Sequence, residues 1–157
     1  MITVAFWGIM LALAILFPNI LFLFFQPKDA PKDIKEESRI LNTLEKVGQV
    51  GSWFFLSFDV GSYTFGFKTV TLGVFWIFST IVLLALYYLL WIRYYVKGKK
   101  YCYLYDTVII PIPMAIIPVC LFLFTGLLEQ HYLLILFSII FAIGHISINW
   151  YHYNLIK

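Results

Sequence analysis

LEKVGQVGSWFFLSFDV, from Leu44 to Val60, is the stretch on which the fold turns. It is either a loop outside a membrane or a helix that crosses one with Glu45, Lys46 and Gln49 aboard. The rest of the chain supplies the means to decide. Its 157 residues are 62% hydrophobic and 12% charged, and the mean hydropathy is +0.91. Soluble domains carry roughly 25% charged residues, so this surface has too little charge to be wetted all round. With several long apolar runs, the class is all-α, a polytopic transmembrane helical bundle. A transmembrane barrel is excluded, because its strands alternate apolar and polar residues over about 10 positions. Ile109 to Leu128 is apolar on every face.

The two readings of the stretch distribute Lys and Arg differently. If it stays outside, four spans result. Lys28, Lys32, Lys35, Arg39, Lys46 and Lys68 then face Arg93, Lys97, Lys99, Lys100 and Lys157 across the membrane, six against five. If it crosses, there are five spans. Ten of these residues then share one side and Lys68 alone is opposite. That asymmetry is the positive-inside pattern. It predicts the N-terminus outside and the C-terminus in the cytosol. Residues 40–60 are also long enough, at about 1.5 Å per residue, to span about 30 Å of hydrocarbon. Lys46 can snorkel to the interface, and Gly48 and Gly51 permit close helix packing. An interfacial helix is the competing expectation.

One membrane domain, 1–157, therefore contains spans at about 2–25, 40–60, 70–95, 107–128 and 132–151, with cytosolic loops at 26–39 and 96–105. Met1 to Phe25 lacks a basic leader segment and reads as a retained first span, kinked at Pro18. Mixed charges from Lys32 to Arg39 predict a short surface helix. Glu129, Gln130 and His131 form a tight turn on the outer side. The net charge of +3 sits beside apolar runs, so the expected neighbour is the lipid bilayer and not nucleic acid. Cys102 and Cys120 carry no metal or disulfide spacing.

This topology brings Glu45, Gln49, Arg93, Asp106, His145, Asn149 and His152 to one depth on the cytosolic side. Ionisable groups inside a membrane usually face a bundle interior or a wet cavity. Pro111, Pro113 and Pro118 interrupt the fourth span and free backbone carbonyls, with Met114 as an adaptable wall. The expected ligand-binding set is Glu45, Gln49, Arg93, His145, Asn149 and Met114. A competing expectation is that each polar residue pairs with a neighbour, Glu45 with Arg93 for example. No metal site is expected: HExxH is absent, and His131 lies at the opposite face from His145. Hydrolase elbows and phosphate loops are absent too, so no catalytic residue or cofactor is assigned.

LEKVGQ, LWIRYY, PIPMAIIP and FAIGH, in this order, resemble the pattern of small multi-span membrane proteins of low-GC Gram-positive bacteria, a family without an assigned activity. The resemblance implies a multi-pass protein of the bacterial plasma (cytoplasmic) membrane and no particular chemistry. The Trp–Pro-rich signature of the tryptophan-rich sensory proteins is missing. Three functions fit the residues. The first is binding, with transport as an extension, of a small amphipathic or lipid-like molecule in a cytosol-facing polar pocket. The second is a membrane enzyme using Glu45 and His145 as acid and base. The third is an accessory subunit with a membrane-protein partner.

Overall fold

The structure, a computed structural model, describes residues 2–31 and 38–156. The surface helix expected from Lys32 onward lies largely outside the described residues. The elements in chain order are β1 (Ile2–Val4), α1 (Phe6–Phe24), α2 (Arg39–Ser57), β2 (Phe58–Val60), α3 (Val70–Val96), α4 (Cys102–Tyr105), α5 (Pro113–Glu129) and α6 (Tyr132–Leu155). The chain is mostly helical. Among the described residues, α1, α3 and α6 are long and apolar enough to cross a membrane, and α5 is a shorter apolar helix. α2 has 19 residues but carries Arg39, Glu45 and Lys46 and is less apolar. The outer surface is apolar: Ile81, Leu86, Leu89 and Ile92 of α3 all lie exposed. That arrangement suits hydrocarbon rather than water.

Three pairings set the direction of each helix. β1 pairs antiparallel with β2, Ile2 against Val60 and Val4 against Phe58, so α1 begins where α2 ends. α3 runs parallel to α1. The Tyr88 hydroxyl donates to the Ala14 carbonyl (2.8 Å), Tyr95 to Pro18 (3.1 Å) and Tyr94 to Phe25 (2.8 Å), so the later turns of α3 meet the later turns of α1. α6 runs antiparallel to α2. The chain thus leaves its starting end along α1, returns along α2 and leaves again along α3. The strand at residues 2–4 and the one at 58–60 occupy positions that the sequence assigned to span ends.

Two prolines act differently. Pro18 cannot donate to the carbonyl of Ala14 one turn earlier, and that carbonyl is the one Tyr88 satisfies. In a medium without water an unpaired carbonyl costs several kcal/mol, so Tyr88 offsets the defect Pro18 makes. Pro113 occupies the first turn of α5, where its missing N–H is harmless. Residues ahead of it leave the helical region: Ile109 and Ile112 have φ of 70° and 44°. The helix of the expected fourth span, α5, therefore begins at Pro113 and not at Thr107. Its 17 residues reach about 25 Å.

α2 and α6 meet backbone to backbone. A Cβ on Gly48 would overlap the backbone of Phe141, one on Gly51 the ring of Phe137, and one on Gly144 the backbone nitrogen of Glu45, with the Leu41 carbonyl oxygen 2.7 Å away. The backbone of neither helix can move aside cheaply. Gly144→Ala gains about 1 kcal/mol of helix propensity but must force the helices apart, at about 1–3 kcal/mol. The overlap is with backbone, so the packing loss wins and the melting temperature in detergent falls. Gly73→Ala, whose Cβ meets only the Phe67 ring at 3.4 Å, keeps or raises it. Equal melting temperatures for the two variants would contradict the close contact.

At the other end, His131 caps α6: its Nδ1 accepts the Leu134 N–H at 3.2 Å, and its ring stacks on Tyr63 at 4.5 Å. Burial holds its pKa below the ordinary 6.5, outweighing the nearby Asp59 carboxylate. Below pH 6.5 the unfolded chain therefore takes up a proton that the folded chain resists. Stability falls with acid in that window, and a proton on Nδ1 also removes the cap. Melting curves recorded from neutral pH downward should show this loss, and His131→Asn, which caps without titrating, should flatten it.

Candidate functional site

The α2–α6 register fixes the site. Glu45 lies opposite Gly144, which brings its carboxylate to the next residue on α6. The Nδ1–H of His145 donates to Glu45 Oε1 at 2.5 Å, an arrangement that a carboxylate, as an acceptor, dictates. The ring of His145 is held from behind by Phe141, stacked at 4.6 Å and 22°. One turn further along α6, Asn149 Nδ2 donates to the His145 carbonyl at 2.7 Å. Gln49 sits one turn from Glu45 on α2 and shares its face.

Gln49, His145 and Asn149 line one cavity of about 150 Å³. Met114 and Pro118 of α5 form its flexible wall. Pro118 removes the donor that would have closed the Met114 carbonyl, so the helix is weakened at the cavity. Leu104 and Tyr105 of α4 close one end. Two further residues belong to it that the sequence did not single out. Asn19 of α1 donates through Nδ2 to the Tyr87 hydroxyl of α3 at 2.8 Å, and both line the cavity. Asn19 is the one amide in an otherwise apolar helix. An isolated polar residue in such a run is a signal in itself, so Asn19 was legible. Tyr87 was not, since nothing distinguishes it from its neighbour Tyr88.

The seven residues expected at one depth separate into three groups. Glu45, Gln49, His145 and Asn149 come together around the cavity, with Glu45 holding His145 from the side. Arg93 does not join them. It makes a bidentate pair with Asp106, at 2.6 and 3.1 Å, and lies 4.8 Å over the Tyr103 ring. Asp106 lies just beyond the short helix α4, which folds back toward the end of α3 and presents it to the guanidinium. A planar fork matched to a carboxylate commits Arg93 to Asp106, and Glu45 is left to the histidine. His152, two turns beyond His145 on α6, is hydrogen-bonded through Nδ1 to the Tyr101 hydroxyl at 2.7 Å and stacks on Tyr105. Arg93 and His152 are therefore clamps that fasten α4 to α3 and to α6.

The site offers hydrogen-bond donors and acceptors from five helices around a small space walled by aromatic and thioether groups. That chemistry suits a compact polar group with an apolar continuation. Comparison with protein-family models, with curated proteins and with solved structures returned no match for this chain.

Proposed function

We propose that the chain is a five-span membrane protein, with its N-terminus outside and its C-terminus cytosolic, that binds a small amphipathic or lipid-like molecule. The polar head of that molecule occupies the cavity bounded by Gln49, His145 and Asn149. The observation that carries the reading is that mixed lining: amide, imidazole and phenol groups set among Met114 and aromatic rings. A head group enters and the apolar remainder extends between helices.

Several features support a crossing by α2. α1 and α3 are both long apolar helices and run parallel, so the chain between them has to return. α2 is the element that does so, ending beside the start of α1. It lies antiparallel against α6 at matching depth, and its outward residues Val47, Val50 and Phe54 are apolar and exposed. The distribution of Lys and Arg supports a cytosolic location for the basic end. In a background with Cys102 and Cys120 changed to Ser, single cysteines at Ser62 and Ser38 read the topology directly. A membrane-impermeant maleimide applied to intact cells labels position 62 and spares position 38. Labelling of both would place α2 outside the membrane and remove the topology.

For the ligand, native mass spectrometry of the purified protein should show a co-purifying molecule. Gln49→Leu combined with Asn149→Leu, which leaves the glycine contacts untouched, should strip it. Absence of any bound mass, with no thermal shift across a panel of lipids and short-chain amphiphiles, would refute the binding reading. The His145–Glu45 contact at 2.5 Å favours a second reading, in which the pair works as acid and base on a lipid-like substrate. Glu45→Gln separates the two readings. A binding protein keeps its ligand in that variant, whereas an enzyme keeps its fold and loses turnover.

A further inference from the structure

A second cavity, of about 400 Å³, opens where α1 and α3 end. Its apolar side is Phe24 and Phe25, the last turn and cap of α1, and its polar side is Lys28, Lys99 and Lys100. It shares no lining residue with the cavity at His145. The arrangement is built rather than incidental. Gly98 and Lys99 both take the left-handed backbone conformation, at φ 89° and 56°, and the Lys99 N–H closes on the Tyr94 carbonyl at 2.9 Å. This turn stops α3 and directs Lys99 and Lys100 back toward α1. A lysine rarely adopts that conformation, so the turn is held by its surroundings. The Lys99 ammonium lies 4.9 Å over the Phe25 ring, which holds it in the wall.

Among the described residues one acidic side chain shares the cavity, and it is already engaged: Asp29 Oδ1 accepts the Tyr101 N–H at 2.8 Å. The nearby arginine is also committed, since Arg93 is forked onto Asp106. Three lysines thus line one space with, among the described residues, a single carboxylate beside them. That space adjoins exposed aromatic rings at the end of a helix long and apolar enough to span a membrane.

We infer that this cavity is a site for a phosphate-bearing anion, occupied by the head group of an anionic phospholipid. The phosphate sits among Lys28, Lys99 and Lys100, and the acyl chains continue along Phe24 into the bilayer. Lysine recognises phosphate as a point charge, and a basic pocket at the boundary between helix ends and the aqueous phase is where such head groups collect. The inference is independent of the reading of the His145 cavity.

The test uses the full chain in mild detergent with phosphatidylglycerol and phosphatidylcholine of matched acyl chains, followed by native mass spectrometry. Phosphatidylglycerol should be retained in preference, one molecule per chain. A triple variant, Lys28→Gln with Lys99→Gln and Lys100→Gln, should weaken that retention by roughly 100-fold. Lys46→Gln with Lys68→Gln, which removes charge elsewhere, should leave it unchanged. These side chains lie at the surface, so circular dichroism should report the same helicity for every variant. Millimolar inorganic phosphate distinguishes the sources: displacement of the lipid assigns recognition to phosphate itself, and no displacement assigns it to the lipid as a whole. Equal retention of the two lipids, or retention undiminished in the triple variant, would overturn the site.

Discussion

Gly48 and Gly144 allow α2 and α6 to touch backbone to backbone, with Gly51 making room for the Phe137 ring, and most of what distinguishes this protein follows from that contact. In hydrocarbon two apolar helices gain nothing by hiding from solvent, because lipid is as apolar as they are. Association rests on close packing and on hydrogen bonds. Gly48, Gly51 and Gly144 supply the packing along two to three turns, and the His145–Glu45 hydrogen bond supplies the polar link at one end of it. The two are not independent. A side chain at Gly144 would displace the backbone of Glu45, so the position that permits the close approach is also the one that delivers the carboxylate to the imidazole. α2 is the least apolar of the long helices, and α6 is the partner that lets it keep its charges.

A different device holds α1 to α3. Here tyrosine hydroxyls reach carbonyl oxygens on α1, and one of those carbonyls is free because Pro18 lacks a proton to give it. The unpaired carbonyl and the hydroxyl that satisfies it come from different helices, which ties α1 to α3 at this level. Asn19 adds a side-chain link to Tyr87 at the same level. These bonds are concentrated from Ala14 to Phe25, and toward the other end the two helices diverge around an apolar cleft of about 740 Å³ lined by Trp7, Met10, Trp76 and Ile81. The fastened half of the α1–α3 pair is thus the half that bears both the polar cavity and the lysine pocket.

The short helix α4 decides how the remaining charge is used. It draws Asp106 onto Arg93 and Tyr101 onto His152, so two residues with the chemistry to bind a ligand are spent on closing the bundle. What remains around the cavity is mostly uncharged: three amides, an imidazole and two phenols. Such groups orient a small polar head without the desolvation cost of an isolated ion. The excess positive charge lies instead at the rim, on Lys28, Lys99 and Lys100. A polar interior and a basic rim are separate environments, suited to different parts of an amphipathic world.

By itself the sequence determined the class of protein, the apolar helices and the side-by-side occurrence of small and polar residues in LEKVGQVG and FAIGH. Those properties are local, because hydropathy and helical spacing depend on residues a few positions apart. Gly48 and Gly51 were legible as a packing surface for the same reason, whereas Asn19, though alone in its apolar run, was not singled out from the sequence. Tertiary structure decided the rest. That Arg93 would find Asp106 and leave Glu45 to His145 depends on where α4 folds. That Tyr88, and not Tyr87, would meet the carbonyl freed by Pro18 depends on the rotation of α3 about its axis. The start of α5 at Pro113 and the pairing of residues 2–4 with 58–60 depend on which backbone groups lie near enough to bond. A hydrogen bond is made or lost within an ångström, and the sequence specifies which residues are able to make one but not which of them arrive.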